Sequence, residues 1–316
     1  MGTGGDGHST FNISTASSIL ASSLLLIAKH GNRASTSKAG SAEVLACTKT
    51  PKQPKLEAVT SETLPQIYEK TNYSFLFAPV FHPALKHVAP IRKLLPHPTI
   101  FNLLGPLTNP AEVAIEARVI GVKKHDLVEP FAEALKLGGA KKAMVVCGAE
   151  DLDEISCAGP TFCSRLVEGS GGVVRIEQFT ISPEDFGLPV HPLSTVSPGL
   201  TPSENAAILM LLLNDSMAAD DPILHFVLMN TASLFVISGV CDCEQSPFED
   251  DEEVIQETGP GGGRWKEGVR LARMAISSGQ ALDMLRRFAE VTNELSDLTQ
   301  SSISGTSSGI NHLPLN

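Results

Sequence analysis

Apolar residues change their spacing along this 316-residue chain, and each spacing predicts a different element. Between 15 and 28, Ile19, Leu20, Leu24 and Ile27 recur at helical intervals, with Ser14 or Thr15 placed to cap the run and Gly31 to stop it. That predicts a helix over 15–28. From 41 to 95, "SAEVLA", "LPQIYEKT" and "PALKHVAPIRKLL" read as further helices, so the whole stretch is expected to be helical despite Pro90. The texture then shifts. "VAIEARVIGV" (113–122) alternates like a strand, "DLVEPFAEALKLGG" (126–139) is a helix stopped by glycines, and "KAMVVCG" (142–148) has the continuous apolar run of a buried strand. This β-α-β rhythm predicts a parallel or mixed sheet. "GVVRIEQFTI" (172–181) adds a strand, and "ENAAILMLLLND", "DPILHFVLMNTASLFVIS" and "RWKEGVRLARMAISSGQALDMLRRFAEV" predict helices packed on it. The acidic "EDDEEVIQETGPGGG" (249–263) reads as a solvated surface insertion, and the Ser-rich 296–316 as a disordered tail. No internal repeat is visible.

Composition narrows the partners more than the fold. With 24 Lys+Arg against 35 Asp+Glu the formal charge is −11, so the summed field repels nucleic acid and anionic membrane, and any anionic ligand needs a local site. The six cysteines at 47, 147, 157, 163, 241 and 243 have no CxxC spacing, which argues against structural zinc and for reduced thiols. The apolar 16–28 lacks a basic flank before it and a small-residue cleavage site after it, and is shorter than a membrane span, so a cytoplasmic protein is expected.

Four polar clusters stand out from this background. The chain opens "GTGGDG" (2–7), and a glycine run at the mouth of a helix lets backbone N–H groups approach phosphate oxygens. Taken alone, the same glycines also suit a tight turn. Asn12, Ser14 and Thr15 come next, at the first helical turn, where a carboxamide and two hydroxyls can join those N–H groups around a diphosphate or reach its metal. In "KHGNRASTSKAGS" (29–41), Lys29 and Arg33 supply charge, Asn32 a donor and acceptor, Ser35, Thr36, Ser37 and Ser41 hydroxyls, and Gly31 and Gly40 close approach; a solvated polar loop is the alternative. Further on, His82, Lys86, His87 and Arg92 recur along one helix, where Arg92 can present a guanidinium fork to a carboxylate beside the apolar Ala78 and Pro79, although a single histidine there is as readily a surface or core residue. Finally, Asp153 and Glu154 leave a strand's carboxyl end in "DLDEIS", which suits Mg2+, a cation that takes a few carboxylates and completes its shell with substrate phosphate oxygens. An acidic loop without a ligand is the alternative.

"GTGGDGHSTFNIST", "KHGNRASTSKAGSAEVL", "FLFAPVFHPALKHVAPIR", "TIFNLLGPLTNP" and "CGAEDLDEIS" occur in the order and wording of the anthranilate phosphoribosyltransferases, and the chain resembles that family over 2–240 and again over the C-terminal helices. The resemblance implies a nucleoside-phosphorylase/phosphoribosyltransferase-like α/β fold, a mixed sheet surrounded by helices, with a partial small helical domain. It implies transfer of the phosphoribosyl group from 5-phosphoribosyl-1-diphosphate to the amine of anthranilate in tryptophan biosynthesis, with Mg2+ as cofactor and a homodimer in relatives. Residue by residue, it puts Gly2, Gly4, Gly5, Asp6, Asn12, Ser14 and Thr15 on the diphosphate cradle and Lys29 and Ser41 on the donor. Ser14 with Glu154 falls on one metal position, and Asp153 with Glu154 on a second. Gly31, Asn32, His82 and Arg92 fall along the anthranilate path, Arg92 on its carboxylate, and no residue is implied as general base.

The resemblance also divides the chain into a discontinuous donor-binding domain (1–40 and 96–295), a helical segment (41–95) left from the small domain, and the tail. Relatives carry a long segment before the glycine motif, so the expectation is that residues 1–316 alone fold weakly and do not turn over. Cys147 stands where relatives usually have His, "LLPHPT" departs from the usual glycine-containing wording, Leu85 occupies a variable position, and the acidic 241–263 resembles fungal-type versions. Two other readings compete: a non-catalytic paralogue that binds a phosphoribosyl ligand, and a pyrimidine nucleoside phosphorylase-like enzyme, which shares the fold but lacks the "KHGNR" and "NLLGPLTNP" wording.

Overall fold

The computed structural model describes residues 2–34, 39–94, 99–248 and 253–306. Helix α1 (Ile13–Ala21) is buried along most of its length and ends where Ser22 and Ser23 turn their hydroxyls back onto the Ile19 and Leu20 carbonyls at 2.6 and 2.8 Å. Such local side-chain bonds compete with helix continuation. The chain then extends as strand β1 (Ile27–Gly31), so the helix expected over 15–28 is corrected: its last residues pair instead of coiling. After α2 (Ser41–Ala46) and α3 (Leu64–Tyr68) comes a second correction, β2 (Tyr73–Phe77), which breaks the stretch expected to be helical over 41–95. β1 and β2 run parallel, from Ile27 opposite Tyr73 to Gly31 opposite Phe77. All five β2 residues are buried, the signature of a strand covered on both faces. Short α4 (Ala78–Phe81), α5 (Leu85–Leu94) and α6 (Phe101–Leu107) complete this part.

A four-stranded sheet comes next, in the order β3-β4-β5-β6. β3 (Ala117–Gly121) lies parallel to β4 (Lys142–Gly148), joined by the crossover helix α7 (Val128–Leu137) that ends at Gly138. β5 (Thr161–Glu168), which the sequence reading passed over, and β6 (Val174–Ile181) add two antiparallel strands, making the sheet mixed as expected. Gly2 bridges Gly121 in parallel sense, and Thr3 N–H donates to the Gly121 carbonyl at 3.0 Å. The opening residues therefore line up beside β3.

Helices α8 (Pro202–Leu213), α9 (Pro222–Ser238), α10 (Trp265–Ser277) and α11 (Gln280–Thr306) pack around both sheets. α9 is apolar on every face and buried almost throughout, held at its start by Asp221, whose carboxylate accepts the Ile223 and Leu224 N–H groups. Gly268 permits the close α9–α10 crossing: a Cβ there would lie 2.8 Å from that of Ala232. A single core joins Ile19, Val59, Tyr73 and Phe75 to Phe226 and Phe288, and a smaller one under α7 joins Ile120, Val122, Phe131 and Val145.

One surface expectation is corrected: residues 296–306, expected in the disordered tail, continue α11, while 307–316 lie outside the described residues. The described part of the insertion lies at the surface, with Glu253, Gln256, Glu257 and Thr258 exposed, and is anchored at its end, where Trp265 Nε1 donates to the Pro260 carbonyl at 2.9 Å and Arg165 Nη1 to that of Gly261 at 3.0 Å. All six cysteines are free thiols. No helix among the described residues is long and apolar enough to cross a membrane.

Candidate active site

The glycine opening is a cradle in the literal sense. Gly4, Gly5 and Gly7 have φ of 67°, 71° and 86°, a region L side chains rarely adopt, so the chain can curl there only because of glycine. Gly4 N–H donates to Asp153 Oδ2 at 2.6 Å, tying the curl to the connection between β4 and β5. Space at this junction is reserved for that connection: a Cβ on Gly2 would fall 2.2 Å from Asp153 Oδ2, and one on Gly121 would overlap the Asp153 carbonyl. Asp6 accepts the His8 N–H at 3.1 Å, and His8 Nε2 meets the Glu150 carbonyl at 2.8 Å, a second tie to the same connection.

The first turn of α1 completes one wall. Thr15 Oγ1 donates to Asn12 Oδ1 at 2.6 Å and meets Ser41 Oγ at 2.8 Å, while Asn12 Nδ2 donates to the Ala39 carbonyl at 3.1 Å. Ser41, far away in sequence, is thereby brought to the cradle's helix. Ser14, half-buried beside them, makes no hydrogen bond among the described residues. Glu43 closes the loop before α2, its Oε2 accepting Gly40 N–H at 2.8 Å and Ala34 N–H at 3.1 Å. Ser35, Thr36 and Ser37, read from the sequence as phosphate hydroxyls, lie outside the described residues.

Charge concentrates behind the cradle. Lys29, buried at the centre of β1, has its pKa lowered to about 8 by loss of water, against the pull of Glu154 and Asp153. Asp153 is pushed up to about 6 by burial and then by Asp6, and Glu154 up to about 8 by burial and then by Asp153. The carboxylates thus press charge on each other in a poorly hydrated place, with Lys29 as a partial counterweight. A cation is what such a donor set lacks. No group of three or more His, Cys, Asp or Glu side chains gathers into a metal cage among the described residues. Two adjacent buried carboxylates fit Mg2+, which draws the rest of its shell from water and phosphate.

The connection carrying those carboxylates is gripped by a residue the sequence reading missed. Asn230, in the middle of α9, accepts the Ile155 N–H with Oδ1 and donates to the Ile155 carbonyl with Nδ2, both at 3.0 Å. Its signal was present: a carboxamide in an otherwise apolar buried helix must find partners.

Of the expected acceptor residues, Gly31 and Asn32 stand at the carboxyl end of β1, and His82 follows β2 and α4. Gly31 ends β1, and its missing side chain is required by Phe75, whose ring would lie 2.6 Å from a Cβ there, so packing alone already demands glycine. Asn32 is exposed, with Oδ1 accepting the Arg33 N–H at 2.8 Å. Arg33 lies over the Phe77 ring, 5.2 Å from its centroid, and faces Glu57 at 3.6 Å. His82 caps α4, its ring centroid 5.1 Å from that of His30, a neighbour the sequence reading also missed. His30 is lowered to about 4, chiefly by burial and then by His82, although the Gly105 backbone favours its charged form. His30 is therefore neutral at physiological pH. Lys86 and His87 are exposed on α5. Arg92 belongs to the same helix by its backbone, and its side chain lies outside the described residues.

A glycine-built curl at the carboxyl end of β3, tied to a pair of buried carboxylates, stands where folds of the α/β class place their ligand sites. Family comparison agrees: the glycosyl transferase family, a/b domain, matches residues 1–282. The anthranilate phosphoribosyltransferase of Schizosaccharomyces pombe is 45% identical over 298 residues, covering 93% of this chain and 74% of that protein. That of Thermoanaerobacter sp. (strain X514) is 40% identical over 295 residues, covering 93% and 76%. The Saccharomyces cerevisiae enzyme, solved in complex with PRPP and Mg, superposes with a TM-score of 0.77 at 34% identity, covering 93% of this chain and 72% of that one. The chain belongs to the anthranilate phosphoribosyltransferase family.

Proposed function

We infer that this chain transfers the 5-phosphoribosyl group from 5-phosphoribosyl-1-diphosphate to the amine of anthranilate, giving N-(5-phosphoribosyl)anthranilate and diphosphate in tryptophan biosynthesis. The observation that carries the reading is the bond from Gly4 N–H to Asp153 Oδ2, which joins the anion cradle to the carboxylates a phosphate-bound cation requires. The relatives' shared name and the yeast complex with PRPP and Mg support it.

In this reading Gly2, Gly4, Gly5 and Asp6, with Asn12, Ser14 and Thr15, hold the diphosphate, and Lys29 and Ser41 contact the remainder of the donor. Asp153, Glu154 and Ser14 would hold Mg2+, whose charge offsets that of the phosphates and of the departing diphosphate. As the anomeric C–O bond breaks, positive charge builds on the sugar and negative charge on the leaving group, so fixed N–H donors aimed at the diphosphate favour the transition state. The aniline nitrogen attacks through its own lone pair and then sheds a proton to solvent. Positioning therefore matters more than proton abstraction. Gly31, Asn32, His82 and Arg92 line the acceptor path, where the His30–His82 pair, its rings meeting edge-on with centroids 5.1 Å apart, offers an aromatic wall. The reading includes a cytoplasmic location, a homodimer, and a donor-binding unit formed by 1–40 together with 96–295.

The test is consumption of anthranilate, followed by its fluorescence, with 5-phosphoribosyl-1-diphosphate and Mg2+ present and each omitted in turn. Consumption that needs both is expected; consumption indifferent to the donor, or none with all components present, overturns the reading. Arg92→Lys then isolates the acceptor end. It keeps the charge and loses the bidentate fork, so the KM for anthranilate is expected to rise about tenfold while that for the donor stays within about twofold. Equal changes in both, or none, would make Arg92 a structural residue.

A further inference from the structure

We propose that Lys123 is an additional donor-binding residue, placing its ammonium on the diphosphate held by the glycine cradle. The proposal rests on that cradle holding a diphosphate, as read above. Lys123 lies two residues beyond β3, and its main chain is fixed to the cradle's own edge: its N–H donates to Thr3 Oγ1 at 3.2 Å, and Thr3 N–H donates to the Gly121 carbonyl at 3.0 Å. From this anchor the side chain reaches the curl, with Nζ 4.0 Å from where a Cβ on Gly5 would stand. Above Gly4 and Gly7 the corresponding positions have nothing within 4 Å, so the ammonium borders open space rather than packed protein.

The surroundings give that ammonium one kind of partner. Lys123 is half-buried and has no ion pair among the described residues. The N–H groups of Gly5, Asp6 and Gly7 likewise donate to nothing among the described residues, whereas that of Gly4 is taken by Asp153. Three idle backbone donors on the curl and an unpaired cation beside it form an anion site. Lys29 is buried, and its Nζ donates to the His30 carbonyl at 3.2 Å, so its ammonium is already committed. In a chain of net charge −11, with Asp6 on the cradle itself, an outer positive charge is needed to keep an anion there.

Binding of inorganic diphosphate in the presence of Mg2+, measured by calorimetry, tests this without requiring turnover. Lys123→Gln is expected to weaken diphosphate binding about tenfold, the loss of one charge-assisted hydrogen bond, and to raise the donor KM by a like factor with the anthranilate KM unmoved. Lys123→Arg restores most of the affinity. Lys124→Gln, the same charge change at the adjacent exposed residue, leaves both values where they were. Unchanged diphosphate affinity in Lys123→Gln, or an equal loss in Lys124→Gln, overturns the proposal. Diphosphate binding that depends on Lys123 in a chain that does not consume anthranilate would keep Lys123 and overturn the reaction. Transfer indifferent to Lys123 would do the reverse, and absence of diphosphate binding in the unaltered chain overturns the proposal along with the cradle's assignment.

Discussion

Asp153→Asn combined with Glu154→Gln is expected to leave a folded protein whose transfer rate falls by at least about a thousandfold, the scale of losing the main electrostatic support of a charged leaving group. The amides keep the shape and an oxygen to accept the Gly4 N–H, yet carry no charge for a cation. Stability should not suffer. Burial and mutual repulsion already push both carboxyl groups well above their ordinary pKa, so neutral amides remove a strain. Transfer rates across a Mg2+ titration, with a melting curve for each protein, check both halves. Activity within tenfold of the unaltered chain at limiting Mg2+ would remove these residues from the metal site, and a collapsed melting transition would make their role structural.

Glu267→Ala is expected to lower unfolding free energy by about 3–5 kcal/mol, the cost of breaking a buried ion pair by deleting one partner. Glu267 is only 1% exposed. Its carboxylate accepts from Arg270 Nε at 2.9 Å and Nη2 at 2.7 Å, and from the Ile255 N–H at 2.9 Å. Arg270 in turn reaches Ser246 Oγ at 3.1 Å, so the pair ties Ser246 and Ile255, on either side of the acidic run, to α10. Chemical denaturation measures the effect, and Glu267→Gln, which keeps an acceptor for Ile255, should fall between the two. A loss below about 1 kcal/mol, the size of an ordinary surface change, would show that the insertion is not held this way.

The parts of the site that depend on local chemistry were legible in the sequence. Glycines that tolerate left-handed backbone, hydroxyls at a helix start and adjacent acids beyond a strand keep those properties wherever the chain goes; Gly4 and Asp153 do meet, and Thr15 does brace its helix start. β1 was not legible, because Ile27 continues the helical spacing of Ile19, Leu20 and Leu24, and only the partner strand β2 makes 27–31 extended. β2 itself, "YSFLF", is a short apolar run whose type periodicity alone cannot decide. At the other end, Thr299 and Ser301 looked like tail residues by composition, yet their hydroxyls bond back to the Leu295 and Asp297 carbonyls at 2.9 Å within a continuing helix.

What the sequence by itself determined is the chemistry on offer: glycines free to curl at the opening, an adjacent pair of acids beyond a strand, an overall negative charge, and the motif order of one enzyme family. Only the tertiary structure decided which residues share that chemistry. Ser41 reaches the start of α1 through Thr15, Asn230 grips the carboxylate-bearing connection from across the core, His30 meets His82 edge-on, and Lys123 comes over Gly5 because β3 aligns beside residues 2 and 3. Each of those meetings joins residues separated along the chain by whole elements. No local propensity encodes them; they arise from how parallel strands bring their carboxyl ends to one edge and from which buried polar groups must find a partner once water is excluded.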